Sequence, residues 1–261
     1  MRARRAVAAA VALLALALAC ALPALADVVQ RDGLRVAVEA TMTPRALPRS
    51  GEAPVAVAVS GRISAVAETA LPQLQRLTIE INRHGHFDFA GLPVCAISEI
   101  QPATNSRALG TCGPALVGQG SFSAQVVLQG EPPYQTKGRL LVFNGREGGH
   151  PVLFGHIYTA QPFSNSFVIT FRIEPIAKGT FGTALVASLP RALGNWGYVT
   201  GIEMNLGRRW SAGGRSHSYL SAGCPAPRGF PGATFPLART SFAFAGGTHI
   251  TQTLTGSCRA R

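Results

Sequence analysis

Apolar and polar residues alternate with a period of two along most of the chain. Between Phe167 and Glu174 the odd-numbered positions are all apolar, whereas Thr170, Arg172 and Glu174 occupy even-numbered positions. Successive side chains of a β-strand point to opposite faces of the sheet, so this alternation predicts a strand with one buried face. The same pattern predicts further strands at 34–38, 55–63, 77–81, 122–128, 139–144, 151–158, 183–188, 198–206, 215–221, 240–245 and 248–255.

Glycines and prolines lie mostly between these runs and predict turns. Gly246-Gly247 separates two runs by two residues, which is a strong signal for a β-hairpin. Helix is predicted only at Pro102–Leu109, with Thr104 as its N-cap, and at 188–193. The pattern therefore predicts an all-β fold, an antiparallel β-sandwich of about ten to twelve strands with one or two short helical turns.

Residues 27–261 contain no low-complexity linker and no repeat of fixed period. All-β sandwiches and barrels of this length are commonly one domain, so we expect a single domain over 27–261. The alternative is two β halves, 27–130 and 131–261, because the stretch around Pro132-Pro133 is the best candidate boundary.

The segment 1–26 has the order of parts that is typical of an export signal. Three arginines precede an apolar stretch over 6–24, and Ala24-Leu25-Ala26 forms a small-x-small cleavage site. We therefore expect a signal peptide over 1–26 and a secreted protein that is extracellular or associated with the cell wall. Two alternatives stay open, namely a retained membrane anchor and a lipid anchor at Cys20. No other stretch is apolar and long enough to be a transmembrane segment.

Four cysteines follow this segment: Cys95, Cys112, Cys224 and Cys258. Thiols of an exported protein meet an oxidising environment, in which they pair, and four cysteines allow three connectivities. Cys95 and Cys112 bracket a turn-rich segment, while Cys224 and Cys258 bracket the terminal hairpin. We therefore predict the disulfides Cys95–Cys112 and Cys224–Cys258. The C-x2-C spacings typical of a zinc site are absent.

The chain is strongly basic, with 24 lysine and arginine residues against 12 aspartate and glutamate residues. The basic residues are scattered along the chain. Nucleic-acid-binding proteins concentrate basic residues on one stripe or patch, so we expect no nucleic-acid partner. A basic surface on an exported protein suits an anionic cell-wall polymer or lipid head groups, and another envelope protein is a further candidate partner.

Few residues could carry out chemistry. Asp27, Asp32 and Asp88 are the only aspartates and the glutamates are dispersed, which argues against calcium loops and paired catalytic carboxylates. No G-x-S-x-G nucleophile motif is present, and no cofactor is indicated.

The sharpest constellation is His84-Gly85-His86-Phe87-Asp88. On a strand, His84, His86 and Asp88 would share one face, and two imidazoles with a carboxylate suit zinc, copper or iron. The alternative to a metal site is a solvent-facing turn whose phenylalanines, Phe87 and Phe89, pack inward. His156 lies in a run that is apolar on both faces, where a histidine is either a hydrogen-bonded core residue or a functional group.

Among the aromatic residues, Trp210 is the one that we expect to be exposed. It follows Arg208 and Arg209 and precedes Arg215 by five positions. An indole ring can stack on a ligand while neighbouring guanidinium groups bind its charged parts. We therefore predict a ligand-binding set of Trp210, Arg208, Arg209 and Arg215.

Several stretches over most of residues 27–261 resemble a family of secreted, uncharacterised proteins from high-GC actinobacteria. The resembling stretches are Asn82-Arg83-His84-Gly85, Gly91-Leu92-Pro93-Val94-Cys95, Cys112-Gly113-Pro114-Ala115-Leu116-Val117-Gly118, 179–183, and 218–244 with its Cys224-Pro225-Ala226-Pro227 and Gly229-Phe230-Pro231-Gly232-Ala233. The resemblance implies an exported β-rich domain with this cysteine arrangement, and it implies no activity.

These observations favour a disulfide-stabilised module without catalytic activity that binds a partner or has a structural role in the cell envelope or outside the cell. The alternative is a hydrolase of an envelope polymer or a metal-dependent enzyme, which would use His84, His86 and Asp88, or His156.

Overall fold

The computed structural model describes residues 27–67, 71–161, 164–189 and 197–261, and their secondary structure is mainly β. The strands are β1 (Asp27–Arg31), β2 (Leu34–Thr43), β3 (Ala46–Leu47), β4 (Ala53–Pro54), β5 (Ala56–Ala65), β6 (Leu74–Asn82), β7 (Gly85–Phe87), β8 (Leu116–Val126), β9 (Tyr134–Glu147), β10 (His150–Thr159), β11 (Asn165–Pro175), β12 (Phe181–Ser188), β13 (Gly197–Leu206), β14 (Arg209–Ala212), β15 (Arg215–Ser218), β16 (Leu220–Ala222), β17 (Gly232–Phe244) and β18 (His249–Ala260). The all-β prediction is confirmed.

Every run that the period-two pattern predicts overlaps a strand, but the run 215–221 is divided between β15 and β16, which belong to different sheets. The strand count in the described residues exceeds the expected ten to twelve because strands such as β3, β4 and β7 have only two or three residues. Such short strands carry no readable alternation.

Two short helices, α1 (Ile97–Ile100) and α2 (Asn105–Cys112), lie between β7 and β8. The predicted N-cap of α2 is confirmed, since the Thr104 hydroxyl accepts a hydrogen bond from the backbone N–H of Arg107 at 3.3 Å. The second predicted turn reaches residues 190–193, which lie outside the described residues. No helix among the described residues is long and apolar enough to cross a membrane. The signal segment 1–26, with Cys20, also lies outside the described residues.

Thirteen strands form one sheet in the order β1-β2-β5-β13-β8-β9-β10-β11-β12-β6-β17-β18-β3. Neighbours are antiparallel except β18 and β3, which are parallel. Strands from residues 27–130 and from residues 131–261 are interleaved in this sheet. β13 lies between β5 and β8, and β6 lies between β12 and β17.

The sheet curls until its two ends meet. The rings of Phe122 on β8 and Phe167 on β11 are 5.4 Å apart at their centroids, although β9 and β10 separate these strands in the sheet. At the ends, the Gln252 side-chain amide of β18 donates to the Val36 carbonyl of β2 at 2.9 Å. The two facing layers of the predicted sandwich are therefore opposite halves of one curled sheet, and the larger core lies between them.

A second, smaller core lies on the outside of the curl. The segment with α1 and α2 covers the outer face of β9, β10 and β11, where Ile100 and Ala108 pack against Phe143 and Phe154. These strands are therefore apolar on both faces. Gly145 leaves room for the Phe154 ring, because a Cβ on Gly145 would lie 2.3 Å from a ring carbon.

Both predicted disulfides are confirmed. Cys95 and Cys112, with Cα atoms 5.4 Å apart, tie the two ends of the helical segment together. Cys224 and Cys258, with Cα atoms 5.8 Å apart, tie the chain after β16 to the end of β18. Two small sheets complete the fold: β4-β16-β7, which closes one end of the curl, and the hairpin β14-β15.

We expect Gln252→Ala to lower the free energy of unfolding by about 2 to 4 kcal/mol, because it empties buried space and leaves the Val36 carbonyl without its donor. Thr253→Ala, which alters an exposed side chain on the same strand, should lower the free energy of unfolding by less than about 1 kcal/mol. Urea denaturation measures the free energy of unfolding of both variants. Equal effects of the two substitutions would contradict the closing role of Gln252.

Candidate functional site

The core between the two halves of the curled sheet contains an apolar cavity of about 80 Å³. One wall comes from β2, β5 and β13, the opposite wall from β6, β12, β17 and β18, and β7 and β16 close one end. Met42 on β2 and Met204 on β13 both contribute to the first of these walls. Methionine side chains are unbranched and adaptable, so the walls can adjust to a guest.

A second void of about 40 Å³ adjoins the first one. Val59, Ile79, Met204 and Thr240 line both voids. Protein interiors pack as densely as organic crystals and contain few voids larger than a water molecule. Two adjoining apolar voids in this core are therefore an unusual feature for a protein interior.

The cavity extends to the end of the curl that the small sheet β4-β16-β7 closes. There its lining includes His84, an exposed residue next to β7. The fully buried ring of Tyr219 makes edge contacts with Phe87 and Phe89, at centroid distances of 5.5 and 5.7 Å. The phenylalanines of the His84–Asp88 stretch pack inward, as the alternative to a metal site predicts.

Thr240 is the polar group that distinguishes the cavity. Its side chain is only 2 % exposed, and its hydroxyl has no hydrogen-bond partner. The other buried polar side chain on the wall, Asn82, is satisfied because it donates to the Pro236 carbonyl at 2.7 Å and accepts from the His84 backbone N–H at 3.0 Å. A buried hydroxyl without a partner costs about 1 to 3 kcal/mol, and a guest with a polar atom would relieve this cost.

The structure does not bring His84, His86 and Asp88 to a common point. His86 Nε2 lies 3.1 Å from the carboxylate of Glu52, Asp88 binds His217, and His84 lines the cavity. Among the described residues, Cys95, Glu99 and Cys112 are the only group with three metal-ligating atoms within 4.8 Å of one another. Their two sulfurs are joined in a disulfide, so the group offers no thiolate ligands.

Asp88 forms a close pair with His217, with Oδ2 and Nδ1 2.7 Å apart. Partial burial alone would raise the pKa of the Asp88 carboxyl, but hydrogen bonds from the Ala90 backbone N–H and from His217 lower this pKa below its ordinary value. The His217 ring stacks on Trp210 at a centroid distance of 5.4 Å, and the Trp210 indole N–H donates to the Ala90 carbonyl at 2.9 Å. This cluster fastens the β14-β15 hairpin to the loop after β7.

The predicted ligand-binding set of Trp210, Arg208, Arg209 and Arg215 does not form one patch. Trp210 uses one ring face and its N–H within the protein, as described above, and an Arg208 N–H donates to the Leu116 carbonyl at 3.5 Å. Arg209 pairs with Ser218 across the hairpin, whereas Arg215 pairs with Ala212, so the two side chains leave opposite faces of the hairpin. Trp210 and Arg215 share a face.

A serine, a carboxylate and a histidine meet on the small sheet, but their order differs from that of a catalytic triad. Ser221 donates to Glu52 at 2.5 Å, and His86 binds the other carboxylate oxygen of Glu52. The carboxylate lies between serine and histidine, so the histidine is not placed as the base that would activate the serine. The three groups form a surface contact in which Glu52 binds both Ser221 and His86.

His156 is a fully buried residue of β10. Its Nε2 lies 3.0 Å from the Ala103 carbonyl and 3.3 Å from the Ser166 hydroxyl, while its Nδ1 has no partner. Burial lowers the pKa of His156 because it disfavours the charged imidazolium, and the hydrogen bond to Ala103 offsets this in part. His156 therefore anchors the helical segment on the outer face of the sheet, away from the cavity.

The sequence analysis missed the cavity and the unpaired hydroxyl of Thr240. One signal for Thr240 was present, because it shares its parity with Phe242 and Phe244 on a predicted strand and so occupies a core-facing position. The pairs Asp88–His217 and Glu52–His86 left no such signal, since the members of each pair are far apart in the sequence.

No family model, no curated protein and no solved structure matches this chain. The resemblance to secreted actinobacterial proteins therefore stays a prediction, and the geometry of the chain itself carries the functional argument.

We expect Thr240→Val to raise the free energy of unfolding by about 1 kcal/mol, because valine keeps the shape of threonine and removes a buried hydroxyl that has no partner. Thr136→Val is the matched control, since the buried Thr136 hydroxyl donates to the Gln161 carbonyl at 2.8 Å. That substitution should lower the free energy of unfolding by about 1 to 2 kcal/mol. Urea denaturation of both variants measures the difference, and a loss of stability in Thr240→Val would show that its hydroxyl is satisfied.

We expect the stability that His156 contributes to be complete above about pH 6.5 and to fall as the pH drops below this value. The folded state holds the neutral imidazole, whereas the unfolded chain takes up a proton more readily, so acid favours unfolding. His156→Gln should flatten the pH dependence of urea unfolding between pH 7 and 5, about the range over which histidine titrates. His150→Gln, at an exposed histidine of the same strand, should leave it unchanged. A wild-type stability that stays constant over this range would contradict the prediction.

Proposed function

We propose that this protein is an exported binding protein without catalytic activity, and that the cavity inside its curled sheet holds a small apolar molecule or the apolar end of a larger one. The single observation that carries this proposal is a preformed apolar void with one unpaired hydroxyl, Thr240, on its wall.

The energetics of the void support this proposal. An unfilled core cavity destabilises a protein by about 24 cal/mol per Å³, so the larger void alone costs on the order of 2 kcal/mol. A guest that fills the space restores the lost dispersion contacts and removes its own apolar surface from water. The folded protein therefore gains stability from any guest whose shape matches the cavity.

The size and polarity of the cavity define the class of guest. The two voids together are somewhat smaller than an engineered apolar cavity of about 150 Å³ that binds benzene. A single ring or a short branched alkyl group is the largest rigid guest that this space admits. No charged residue lines either void, so the buried part of the guest is neutral, and one polar atom can pair with Thr240.

The surroundings of the candidate catalytic groups favour binding over catalysis. Asp88, His217, Glu52 and His86 are engaged in surface or hairpin contacts, and of the polar groups named by the sequence analysis only His84 reaches the cavity. The signal-like segment 1–26 and the two disulfides support export, since disulfides persist in oxidising compartments. A place in the cell envelope or outside the cell follows from this export.

Calorimetric titration with phenol and with toluene tests the proposal. We expect both probes to bind saturably to the wild type. Thr240→Val should weaken phenol binding about fivefold to tenfold through loss of one hydrogen bond, and it should leave toluene binding unchanged or improved.

Val59→Phe tests whether the probes bind inside the cavity, because Val59 lines both voids and a phenyl ring would occupy their space. This variant should bind neither probe, whereas Val66→Phe, at an exposed valine, should bind both as the wild type does. An unfolding curve for each variant confirms that it is folded. Absence of binding to the wild type, or undiminished binding to folded Val59→Phe, would overturn the proposed function.

A further inference from the structure

Phe230 is the most exposed of the large hydrophobic side chains in the described residues, at 60 % of its full accessibility. It lies in the loop between β16 and β17, directly after Gly229, whose φ of 86° shapes the turn. Scattered exposed aliphatic residues are normal on protein surfaces, but an exposed phenylalanine held in a fixed position is an informative exception.

The loop that carries Phe230 is tightly held. The Arg49 guanidinium donates to the carbonyls of Ala226 and Pro227, at 3.1 and 2.6 Å, and also to the Phe230 carbonyl. The Pro231 carbonyl accepts from the Ala260 backbone N–H at 2.8 Å. The Cys224–Cys258 disulfide fastens the start of the loop to the same strand. The exposure of Phe230 is therefore built into the fold and is not a result of a loose loop.

The backbones of three arginines lie within this loop or close to it. Arg228 lies two residues before Phe230, and Arg259 precedes the residue that binds Pro231. Arg45 is next to Arg259, since the Arg259 backbone N–H donates to the Arg45 carbonyl at 2.8 Å. All three side chains are exposed, and within the described residues none forms an ion pair. We refer to Phe230, Arg45, Arg228 and Arg259 as the docking surface.

We propose that the docking surface binds the protein to an anionic lipid membrane, with the Phe230 ring in the boundary between head groups and acyl chains and the arginines on lipid phosphates. The charge is complementary to an anionic leaflet, and guanidinium groups match phosphate oxygens in geometry. A soluble polyanion would meet the same arginines, but it offers an exposed phenyl ring no apolar medium. The ring is what favours a membrane over a polymer. This inference does not depend on a guest in the cavity.

The two kinds of side chain make separable contributions. Burial of the Phe230 ring should strengthen binding at least about tenfold. Each arginine near an anionic surface should contribute about fivefold, and this part should weaken as salt rises. Neutral vesicles retain only the ring contribution, so they should bind this protein weakly.

Co-sedimentation of the full chain with phosphatidylglycerol vesicles and with phosphatidylcholine vesicles tests the proposal at about 0.1 M and 0.5 M salt. We expect binding to phosphatidylglycerol vesicles that falls as salt rises. Phe230→Ser should weaken it at least about tenfold, and Arg228→Gln with Arg259→Gln should weaken it about twenty-fivefold. The matched controls Val28→Ser and Arg107→Gln alter an exposed apolar residue and an exposed arginine elsewhere, and they should bind as the wild type does.

Dextran sulfate added as a competitor separates the membrane from a soluble polymer. The proposal is overturned if the wild type does not bind phosphatidylglycerol vesicles, or if Phe230→Ser binds them as well as the wild type does. If dextran sulfate binds the wild type and Phe230→Ser equally while vesicle binding is insensitive to Phe230, the surface is a polymer-binding one. Circular dichroism and urea unfolding of each variant establish that losses of binding do not come from unfolding.

Discussion

The inner face of the thirteen-stranded sheet is apolar along its whole width, and its burial against itself governs the rest of the structure. The chain buries this face by curling until β2 and β18 approach each other. Among the described strands no backbone ladder joins the two ends, and side chains contact across them. Gln252 reaches from β18 to the Val36 carbonyl, and Arg31 of β1 donates to the His249 carbonyl at 3.3 Å. These contacts fix how tightly the sheet is rolled and therefore how much space its interior has.

The interior left by this curl is not filled. The rings of Phe122 and Phe167 pack against each other in one region, while the region between Met204 and Thr240 keeps adjoining voids. The small sheet at the end of the curl covers the larger void, and its strand β16 leads directly into the loop of Phe230. One stretch of chain therefore contributes to the cavity wall, to the Cys224–Cys258 disulfide and to the docking surface.

Local features of the sequence predicted the strands, one helix cap and both disulfides, because each depends on spacing along the chain. Period-two alternation identified β11, Thr104 showed where α2 begins, and the positions of Cys95 and Cys112 predicted their pairing. The order of the strands could not be predicted, since β13 inserts between β5 and β8 through pairings that are remote in sequence.

The candidate site was less accessible to such reasoning. A cavity depends on the volumes of side chains from seven or more strands, and no local pattern records them. Asp88 and His217 are 129 positions apart, so their contact is visible only in the fold. Trp210 and the arginines near it were grouped by proximity in sequence, but the alternation of side chains on a hairpin separates Arg209 from Arg215.

Crystals of the protein under xenon pressure test the central claim most directly, because xenon enters apolar cavities that water leaves empty. The account predicts a xenon peak inside the curled sheet, between Met204 and Thr240, and no peak in crystals of Val59→Phe. A core in which side chains fill this space, or in which ordered waters occupy it and bind Thr240, would contradict the account.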